Sequence, residues 1–326
     1  MHTIRDKTLG SAEGSSEPYY KGYYLMTSRC NLDCDYCVLE DAPDQLRKEL
    51  DLDGKKALIA HLYEHMRFRH LTLSGGEVLL IGKRPPADFV ELLRYLRGFR
   101  SDLADQNLGV AVYSNGTYLS EAVADEFAGV VDVVAVTIDT ADDALLSAIG
   151  RNKGRHQGYF KNAVSACGVL GQRGVRVKLH SVIGQMNQHR IAGEVRMILD
   201  AVQSAGGQIT KWKFYQYMSY DDPRRDGAHA IGSDAYRRAR DGISTALAGS
   251  GVSLHFKDNE EMNDSLFNIL PYGNAQFLRT GDTWSTSQRT SDLRQYGSMS
   301  DLFAHHAIDS EAFRRFHAIQ RRAVKS

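Results

Sequence analysis

Six short apolar runs, alternating with longer amphipathic stretches, restrict the fold of this 326-residue chain more than any other feature of its sequence. The apolar runs predict strands at residues 23–27, 70–73, 108–113, 131–138, 175–182 and 209–217. Apolar residues at helical spacing predict intervening helices at residues 55–68, 89–96, 121–127, 159–170 and 191–205. Repeated strand–helix units favour a parallel sheet, so we expect an α/β fold in the form of a partial (β/α)6 barrel.

The predicted barrel occupies residues 19–220, between a flexible polar tail at 1–18 and a carboxyl-terminal extension at 221–326 that covers the active site. From residue 217 onward the pattern predicts a loop at 217–232, helices at 233–247 and 310–323, and short strands at 252–256 and 266–270. Ser233 or Asp234 is the expected cap of the first of these helices. The Ser- and Thr-rich stretch 280–300 is either a cover over the substrate or a mobile segment.

The overall charge and cysteine content exclude several classes of protein. Lys and Arg total 40, as do Asp and Glu, so nothing in the charge balance indicates a nucleic-acid partner or a membrane surface. No apolar run reaches the roughly 20 residues of a membrane-spanning helix, and the polar tail lacks the apolar segment of a signal peptide. Only four cysteines occur, without a disulfide framework, so we expect a reduced, cytoplasmic protein.

Three of the four cysteines, Cys30, Cys34 and Cys37, lie on one short loop after the first predicted strand. An iron–sulfur cube normally takes four cysteine thiolates, so a loop that offers three leaves one iron free to bind another molecule. The alternative is zinc, which takes four tetrahedral ligands, yet no second Cys or His pair follows at the usual spacing. The loop therefore favours a cluster. Cys167 falls in a helical apolar pattern and is predicted to be an ordinary buried thiol.

Polar or glycine residues follow three successive predicted strands, where parallel sheets bind their ligands. They are Ser74, Gly75, Gly76 and Glu77 after the second strand, Ser114 and Asn115 after the third, and Asp139 after the fourth. Paired glycines let the backbone approach a ligand, and a carboxylate supplies a countercharge for an ammonium group. Each group alone has a simpler interpretation, because glycines and Asn-Gly form turns and Asp139 can cap a helix that begins near residue 141. Their recurrence at successive strand ends favours a ligand site.

Three cations interrupt apolar patterns in the second half of the barrel. Arg151 follows Ile149 and Gly150, Lys178 lies within the fifth predicted strand, and Lys213 lies within the sixth. A buried, unpaired ammonium is costly, so an inward-facing lysine requires an anion. Three converging cations suit a triphosphate. The alternative for each is an ordinary surface or salt-bridged cation.

The CX3CX2C spacing, together with the Gly-Gly-Glu sequence and the polar residues at the next strand ends, resembles the radical S-adenosylmethionine (SAM) superfamily. The resemblance implies that the open iron of a [4Fe–4S] cluster chelates SAM, and that an electron from the cluster cleaves SAM to a 5′-deoxyadenosyl radical. It also implies that the backbone and carboxylate of the Gly-Gly-Glu motif hold the methionine ammonium. Ser114, Asn115 and Asp139 are then further SAM contacts.

From the cysteine loop to about residue 277 the chain resembles the viperins, which convert nucleoside triphosphates into 3′-deoxy-3′,4′-didehydro analogues. Residues 149–151, 178–183, 212–213 and 259–265 carry this resemblance. Viperin cations that match Arg151, Lys178 and Lys213 hold substrate phosphates, in agreement with the anion site expected from the residues themselves. The resemblance implies hydrogen abstraction at ribose C4′, loss of the 3′-hydroxyl, and reduction by an external electron donor of the flavodoxin or ferredoxin type.

Several positions depart from the viperin pattern. His180 and Gly184 stand where viperins tend to have Asn, and Val78 follows the Gly-Gly-Glu motif where Pro is usual. These departures leave the SAM site intact. They concern which nucleobase the substrate carries, and whether the substrate is a nucleotide at all. Lys83 is a candidate for a further viperin lysine.

Radical chemistry of this kind depends on positioning, so no side chain is required as a nucleophile. Tyr215, Tyr217 and His180 are candidates for proton or electron delivery, with packing around the cavity as the alternative. Two other functions are compatible with the sequence: a radical SAM enzyme for another small molecule or a peptide, and a zinc-binding regulatory protein without catalysis. No cysteine follows Cys167, which argues against the auxiliary cluster domain common in peptide-modifying radical SAM enzymes.

Overall fold

The computed structural model describes residues 17–37, 39, 44–152, 157–219, 222–264, 266–278 and 287–319. Together these residues form a single ten-stranded sheet. In chain order its strands are β1 (Tyr20–Leu25), β2 (Phe68–Ser74), β3 (Gly109–Ser114), β4 (Val133–Thr137), β5 (Arg176–Ile183), β6 (Ile209–Gln216), β7 (Ser253–Lys257), β8 (Phe267–Ile269), β9 (Asn274–Phe277) and β10 (Gln288–Asp292). The first six are the six strands predicted from the apolar runs, with ends that differ by three residues or fewer.

Across the sheet the strands lie in the order β10-β9-β8-β1-β2-β3-β4-β5-β6-β7. Every neighbouring pair from β1 to β7 is parallel, so the chain crosses over the sheet between consecutive strands. The predicted α/β partial barrel is confirmed, and β7 adds a parallel strand beyond the six expected. The carboxyl-terminal extension supplies strands at both edges of the sheet. Strand β7 forms one edge, and at the other edge β8 pairs with β1 and leads to the antiparallel β9 and β10.

The helices that join the strands pack one face against the sheet. In chain order the described helices are α1 (Asp44–Arg47), α2 (Leu52–Glu64), α3 (Ala87–Leu96), α4 (Glu121–Phe127), α5 (Asp143–Ala148), α6 (Tyr159–Gly171), α7 (Ile191–Ser204), α8 (Pro223–His229), α9 (Ser233–Ala246), α10 (Asn259–Asp264), α11 (Met299–His305) and α12 (Ser310–His317). The buried positions of α7 recur every three or four residues, as packing of one helix face requires: Ile191, Val195, Ile198, Leu199 and Val202. Cys167 is buried on α6, as predicted. None of the described helices combines the length and apolar character needed to cross a lipid bilayer.

The sheet curls until its parallel strands enclose a cavity. Lys21 on β1 and Lys257 on β7 are six strand intervals apart, which corresponds to about 29 Å in a flat sheet with a strand spacing of about 4.8 Å. Both side chains nevertheless line one cavity. Burial, followed by the charge of Lys257, lowers the pKa of Lys21, as expected for two cations that line one cavity. The strands at the two ends of the parallel order therefore approach each other.

The stretch predicted as a loop at residues 217–232 contains a helix, α8. Asp222 caps this helix by accepting hydrogen bonds from two backbone N–H groups, and Pro223 occupies its first turn. Proline at the first helical position needs no hydrogen-bond donor and has a suitable φ, so Asp-Pro is a helix start signal. The Asp-, Arg- and Gly-rich composition concealed that signal.

The ends of two other helices differ from the prediction. Gly232 is the N-cap of α9, without a side-chain hydrogen bond, so Ser233 and Asp234 lie inside the helix. Helix α12 ends at His317, because the chain then extends and Ala318 forms a β-bridge with the first strand. Residues 320–323 of the predicted final helix lie outside the described residues.

The predicted cover at residues 280–300 divides into two parts. Residues 287–300 form β10, a short 3-10 turn and the start of α11. Residues 280–286 lie outside the described residues, as do residues 1–16 of the predicted tail. The division of the chain at residue 220 and the covering role of the extension stay predictions.

Candidate active site

The cysteine loop follows β1 and packs directly on the backbone that follows α5. The N–H groups of Asp33 and Asp35 donate to the carbonyl oxygens of Gly150 and Ile149 over 3.3 Å. Gly150 has a φ of +83°, and a Cβ at this position would lie 1.8 Å from the Asp33 carbonyl oxygen. Glycine is therefore required here both by the backbone conformation and by the close approach of the cysteine loop.

Hydrogen-bond donors approach two of the cysteine sulfurs. The N–H of Leu32 lies 3.4 Å from Cys30 Sγ, and the N–H of Leu39 lies 3.4 Å from Cys37 Sγ. The side-chain amide of Asn115 lies 3.8 Å from the sulfur of Cys30. Hydrogen bonds to sulfur are one of the means by which proteins set the potential of iron–sulfur clusters.

The chemistry of the cysteines fits a positively charged metal group. Burial raises the pKa of the Cys30 and Cys34 thiols to about 11, whereas coordination to a metal ion deprotonates a thiol outright. Among the described residues, no three His, Cys, Asp or Glu side chains converge closely enough to hold one metal ion. A cluster does not require such convergence, because each cysteine binds a different iron. The donor set therefore fits a cluster better than a zinc ion.

The Gly-Gly-Glu motif lies directly against the cysteine loop. Gly76 N donates to Thr27 O over 2.9 Å, and Glu77 N donates to Arg29 O over 2.8 Å. A Cβ at Gly76 would lie 2.3 Å from the Arg29 carbonyl oxygen, and one at Gly75 would lie 2.7 Å from Thr27 O. The paired glycines are thus needed for contact between the two loops, in addition to any approach of a ligand.

The carboxylate of Glu77 is directed at the third strand end. It accepts hydrogen bonds from Asn115 N at 2.7 Å, Leu79 N at 3.1 Å and Ser114 Oγ at 3.0 Å. Burial raises the pKa of Glu77 to about 7, and these hydrogen bonds oppose the rise. The carboxylate therefore holds the loop of Ser114 and Asn115 in place. Its expected contact with the SAM ammonium stays a prediction. Ser74 accepts a hydrogen bond from the Tyr23 hydroxyl.

Asp139 and Arg151 form a buried ion pair, with Nε and Oδ2 2.8 Å apart. Arg151 also donates to the hydroxyl groups of Tyr36 and Tyr159. Tyr36 belongs to the cysteine loop and itself donates to Asp139. The pair therefore ties the end of β4 to the cysteine loop. The alternative that Asp139 caps a helix is wrong, because Asp142 caps α5.

Helix α8 covers part of the cysteine loop. Arg225 donates to the carbonyl oxygen of Cys37 over 3.3 Å, and His229 Nε2 lies 3.3 Å from Asp35 Oδ1. The ring of His229 also makes an edge contact with Tyr36. Helix α8, which belongs to the predicted carboxyl-terminal extension, thus contacts the cysteine loop directly.

A cavity of about 1010 Å³ lies inside the barrel. Its lining includes Cys37 and Gly75, from the cysteine loop and the Gly-Gly-Glu motif, and also Lys178 and Lys213. Among the described lining residues, six carry a Lys or Arg cation and one carries a carboxylate: Lys21, Lys178, Lys213, Arg225, Lys257 and Arg289, and Asp222. Asp222 lies 3.5 Å from Arg225. In a chain with zero net charge, this cavity is therefore strongly positive.

The two predicted lysines lie near other cations, and no acid among the described residues forms an ion pair with either of them. Burial lowers the pKa of Lys178 to about 7 and that of Lys213 to about 8, and neighbouring lysines are the next cause in both cases. The Lys178 ammonium lies 3.5 Å from the Tyr113 hydroxyl and 4.9 Å from its ring centroid. A bound anion would counteract both burial and repulsion, so the pair suits an anionic ligand.

The third predicted cation does not join them. Arg151 is occupied by Asp139 and is absent from the described lining of the large cavity. Lys83 is exposed and also lies outside that lining. The structure thus brings together Lys178 and Lys213, whereas it places Arg151 beside the cysteine loop.

His180 faces the cavity between two tyrosines. Its ring makes edge contacts with Tyr113 and Tyr215, with centroids 4.6 and 5.2 Å apart. Burial, followed by the charges of Lys178 and Lys213, lowers the pKa of His180 well below its usual value. Its Nε2 is buried and has no hydrogen-bond partner among the described residues. His180 therefore offers a neutral hydrogen-bonding group to a ligand.

Tyr215 and Tyr217 lie in different places. Tyr215 lines the large cavity. Tyr217 donates to Asp226 over 3.0 Å and lines a separate small cleft of about 20 Å³ beside Tyr36 and Asp139. Residues two positions apart on a strand point to the same face, so the strand pattern alone would place Tyr215 and Tyr217 together. They lie in different places because β6 ends at Gln216, directly before Tyr217.

Lys21, Tyr113 and Lys257 are among the cavity residues that the sequence did not indicate. Each lies in or at the end of a strand with apolar neighbours, which is the signal that identified Lys178. Lys21 belongs to the sequence YKGYYL of β1, and Lys257 ends the sequence SLHFK of β7. Only the curvature of the sheet shows that these positions face the same space.

Comparisons with known proteins agree with this arrangement. The S-adenosylmethionine-dependent nucleotide dehydratase RSAD2 of Siniperca chuatsi is 28% identical over 267 residues, which cover 79% of this chain and 68% of that protein. The GTP 3′,8-cyclase of Chlorobaculum tepidum is 32% identical over 126 residues, which cover 39% of this chain and 34% of the cyclase. The chain thus spans about a third of the cyclase's length.

A solved structure has the same fold. The structure of native anSMEcpe with bound AdoMet and Kp18Cys peptide matches with a TM-score of 0.60 and 13% identity, over 91% of this chain and 82% of that one. The sequence model of the radical SAM superfamily matches residues 24–194, from β1 into α7 and more than half of the chain. This protein therefore belongs to the radical SAM superfamily and uses a [4Fe–4S] cluster and SAM as its cofactors.

Proposed function

We propose that this radical SAM enzyme dehydrates a nucleoside triphosphate to its 3′-deoxy-3′,4′-didehydro analogue. The observation that carries the proposal is the single cavity whose lining includes both Cys37 of the cysteine loop and the buried lysines Lys178 and Lys213. A substrate with its phosphates on these lysines thus shares an enclosed space with the cofactors. The names of two similar proteins, a nucleotide dehydratase and a GTP cyclase, also favour a nucleotide substrate.

The three cysteines Cys30, Cys34 and Cys37 hold the cluster in this proposal, and the strand ends hold SAM. The SAM contacts come from the Gly-Gly-Glu backbone, from Ser114 and Asn115, and from the region of Asp139. When bound, the cluster and SAM supply a 5′-deoxyadenosyl radical that removes a hydrogen atom from the substrate. An external electron donor of the flavodoxin or ferredoxin type provides the electrons.

The side chains of the cavity position the substrate and exclude water. Lys178 and Lys213 bind phosphate oxygens, and their ammonium groups become more stable when these anions arrive. His180 and Tyr215 lie on the same cavity wall and offer hydrogen bonds to the remainder of the nucleotide. Such positioning selects one ribose hydrogen for abstraction, which is the main requirement of the reaction.

The decisive experiment is an anaerobic assay of the reconstituted enzyme with SAM and dithionite. CTP, UTP, GTP and ATP are added singly, and 5′-deoxyadenosine and nucleotide products are followed by mass spectrometry. The expected result is a burst of 5′-deoxyadenosine with one nucleotide and a product lighter than that nucleotide by one water. Lys178→Gln and Lys213→Gln should reduce the burst, while the exposed Lys161→Gln serves as a matched control.

Other outcomes would identify other reactions. A product with the mass of GTP would indicate cyclisation instead of dehydration, because ring closure loses no water. Slow SAM cleavage that is indifferent to every nucleotide would contradict a nucleotide substrate and favour another small molecule or a peptide.

A further inference from the structure

We propose that Lys21 and Lys257 form a second anion subsite in the same cavity, which lets the enzyme distinguish a triphosphate from anions of lower charge. This inference rests on the proposed function and assigns it a means of selecting the substrate. Both side chains line the cavity together with Lys178 and Lys213. The four lysines come from β1, β5, β6 and β7, so the complete site exists only in the curled sheet.

The shared cavity is the observation that joins the two pairs of lysines, because all four side chains line it. Burial is the main cause of the lowered pKa of Lys21 and of Lys213, and repulsion by Lys257 is the next cause for both. Lys211, which is outside the described lining, also contributes to both shifts. An anion in this cavity would therefore reduce the repulsion within both pairs.

No partner in the part of the chain that the structure describes accounts for the position of Lys21 or of Lys257. Among the described residues, neither ammonium group takes part in an ion pair or a side-chain hydrogen bond. The one carboxylate among the described residues of the cavity lining, that of Asp222, lies beside Arg225. Mutually repelling cations in one cavity cost stability unless an anion offsets their charge. Binding of an anionic ligand, in contrast, removes this repulsion, and the free energy so recovered adds to the affinity.

The number of lysines matches the charge of a triphosphate. A triphosphate carries about four negative charges at neutral pH, roughly twice the charge of a monophosphate. Lysine ammonium groups bind phosphate oxygens as point charges without fixed geometry. The four lysines together can therefore supply a positive charge comparable to the negative charge of a triphosphate.

Calorimetry with a simple probe tests this subsite without turnover. Inorganic tripolyphosphate and inorganic phosphate are titrated anaerobically into the reconstituted enzyme with SAM, at two salt concentrations. Lys21→Gln and Lys257→Gln should each weaken tripolyphosphate binding by about 10- to 100-fold, as expected for loss of one charged contact. Binding of phosphate should change less, and the salt dependence of tripolyphosphate binding should decrease. Lys257→Arg should restore affinity.

Lys161→Gln, on the exposed surface of α6, is the control for removal of a positive charge. Equal melting temperature and iron content of all variants show that each is folded. The subsite is refuted if Lys21→Gln and Lys257→Gln bind tripolyphosphate as tightly as this control while Lys178→Gln and Lys213→Gln do not. That result would leave the proposed function intact. If all variants bind alike and no nucleotide is dehydrated, the proposed function fails as well.

Discussion

The buried pair of Arg151 and Asp139 allows a quantitative test of how the cysteine loop is held. Their side chains are only 6% and 2% exposed, with the charged atoms 2.8 Å apart. Removal of one partner from a buried ion pair costs about 3–5 kcal/mol, because the other charge stays buried and unpaired. We therefore expect Arg151→Met and Asp139→Asn each to lower the free energy of unfolding by about this amount.

The double variant Arg151→Met/Asp139→Asn should cost less than the sum of the two single changes, because it leaves no unpaired charge. A coupling energy of about 2–3 kcal/mol is expected for residues that share one buried network. Urea unfolding measures these differences, with iron content after reconstitution as a second readout. Arg173→Met is the control, since Arg173 pairs with Asp125 near the surface and such pairs contribute about 1 kcal/mol or less.

Additive single effects, or an Arg151→Met cost no larger than that of the control, would refute a structural role for the pair. The viperin resemblance makes a different prediction for Arg151, namely a contact with substrate phosphate. In that case Arg151→Met would weaken tripolyphosphate binding and leave the free energy of unfolding nearly unchanged. The two measurements therefore separate the positioning role from the phosphate role.

Three further predictions concern single positions. Gly150→Ala should lower iron content and the free energy of unfolding, because the new Cβ would overlap the carbonyl oxygen of Asp33. Gly174→Ala is the control, since Gly174 has a similar φ but open space around it. It should show only the cost of a left-handed backbone, about 1–2 kcal/mol. Burial raises the pKa of Glu77 from 4.5 to about 7, so the free energy of unfolding should fall by about 3 kcal/mol as the pH rises through this interval. Urea unfolding from about pH 4.5 to pH 8 measures this dependence on pH. An equal dependence in Glu77→Gln would contradict the assignment to Glu77. His180→Phe should raise KM about tenfold with little change in kcat, because it removes from the cavity the Nε2 that has no partner among the described residues. Steady-state kinetics with the accepted nucleotide measure both constants. An unchanged KM would show that the ring of His180 only packs against its neighbours.

The local parts of the fold followed from local patterns. The apolar runs and helical spacings identified the first six strands because side-chain burial on a strand or helix depends on residues a few positions apart. The same is true of the cysteine spacing, which placed three thiols on one loop. Helix α8 was missed because its start signal, Asp222 before Pro223, lies in a sequence whose composition is that of a loop.

The sequence by itself determined the superfamily chemistry, since the cysteine loop and the Gly-Gly-Glu motif are short segments whose meaning does not depend on distant residues. Only the tertiary structure decided which cations share a site. Arg151 pairs with Asp139 at the end of β4, and the cysteine loop bonds to the backbone of Ile149 and Gly150 directly before Arg151. Lys21 and Lys257 line one cavity because the sheet curls, and this places residues more than 200 positions apart in the sequence around the same space.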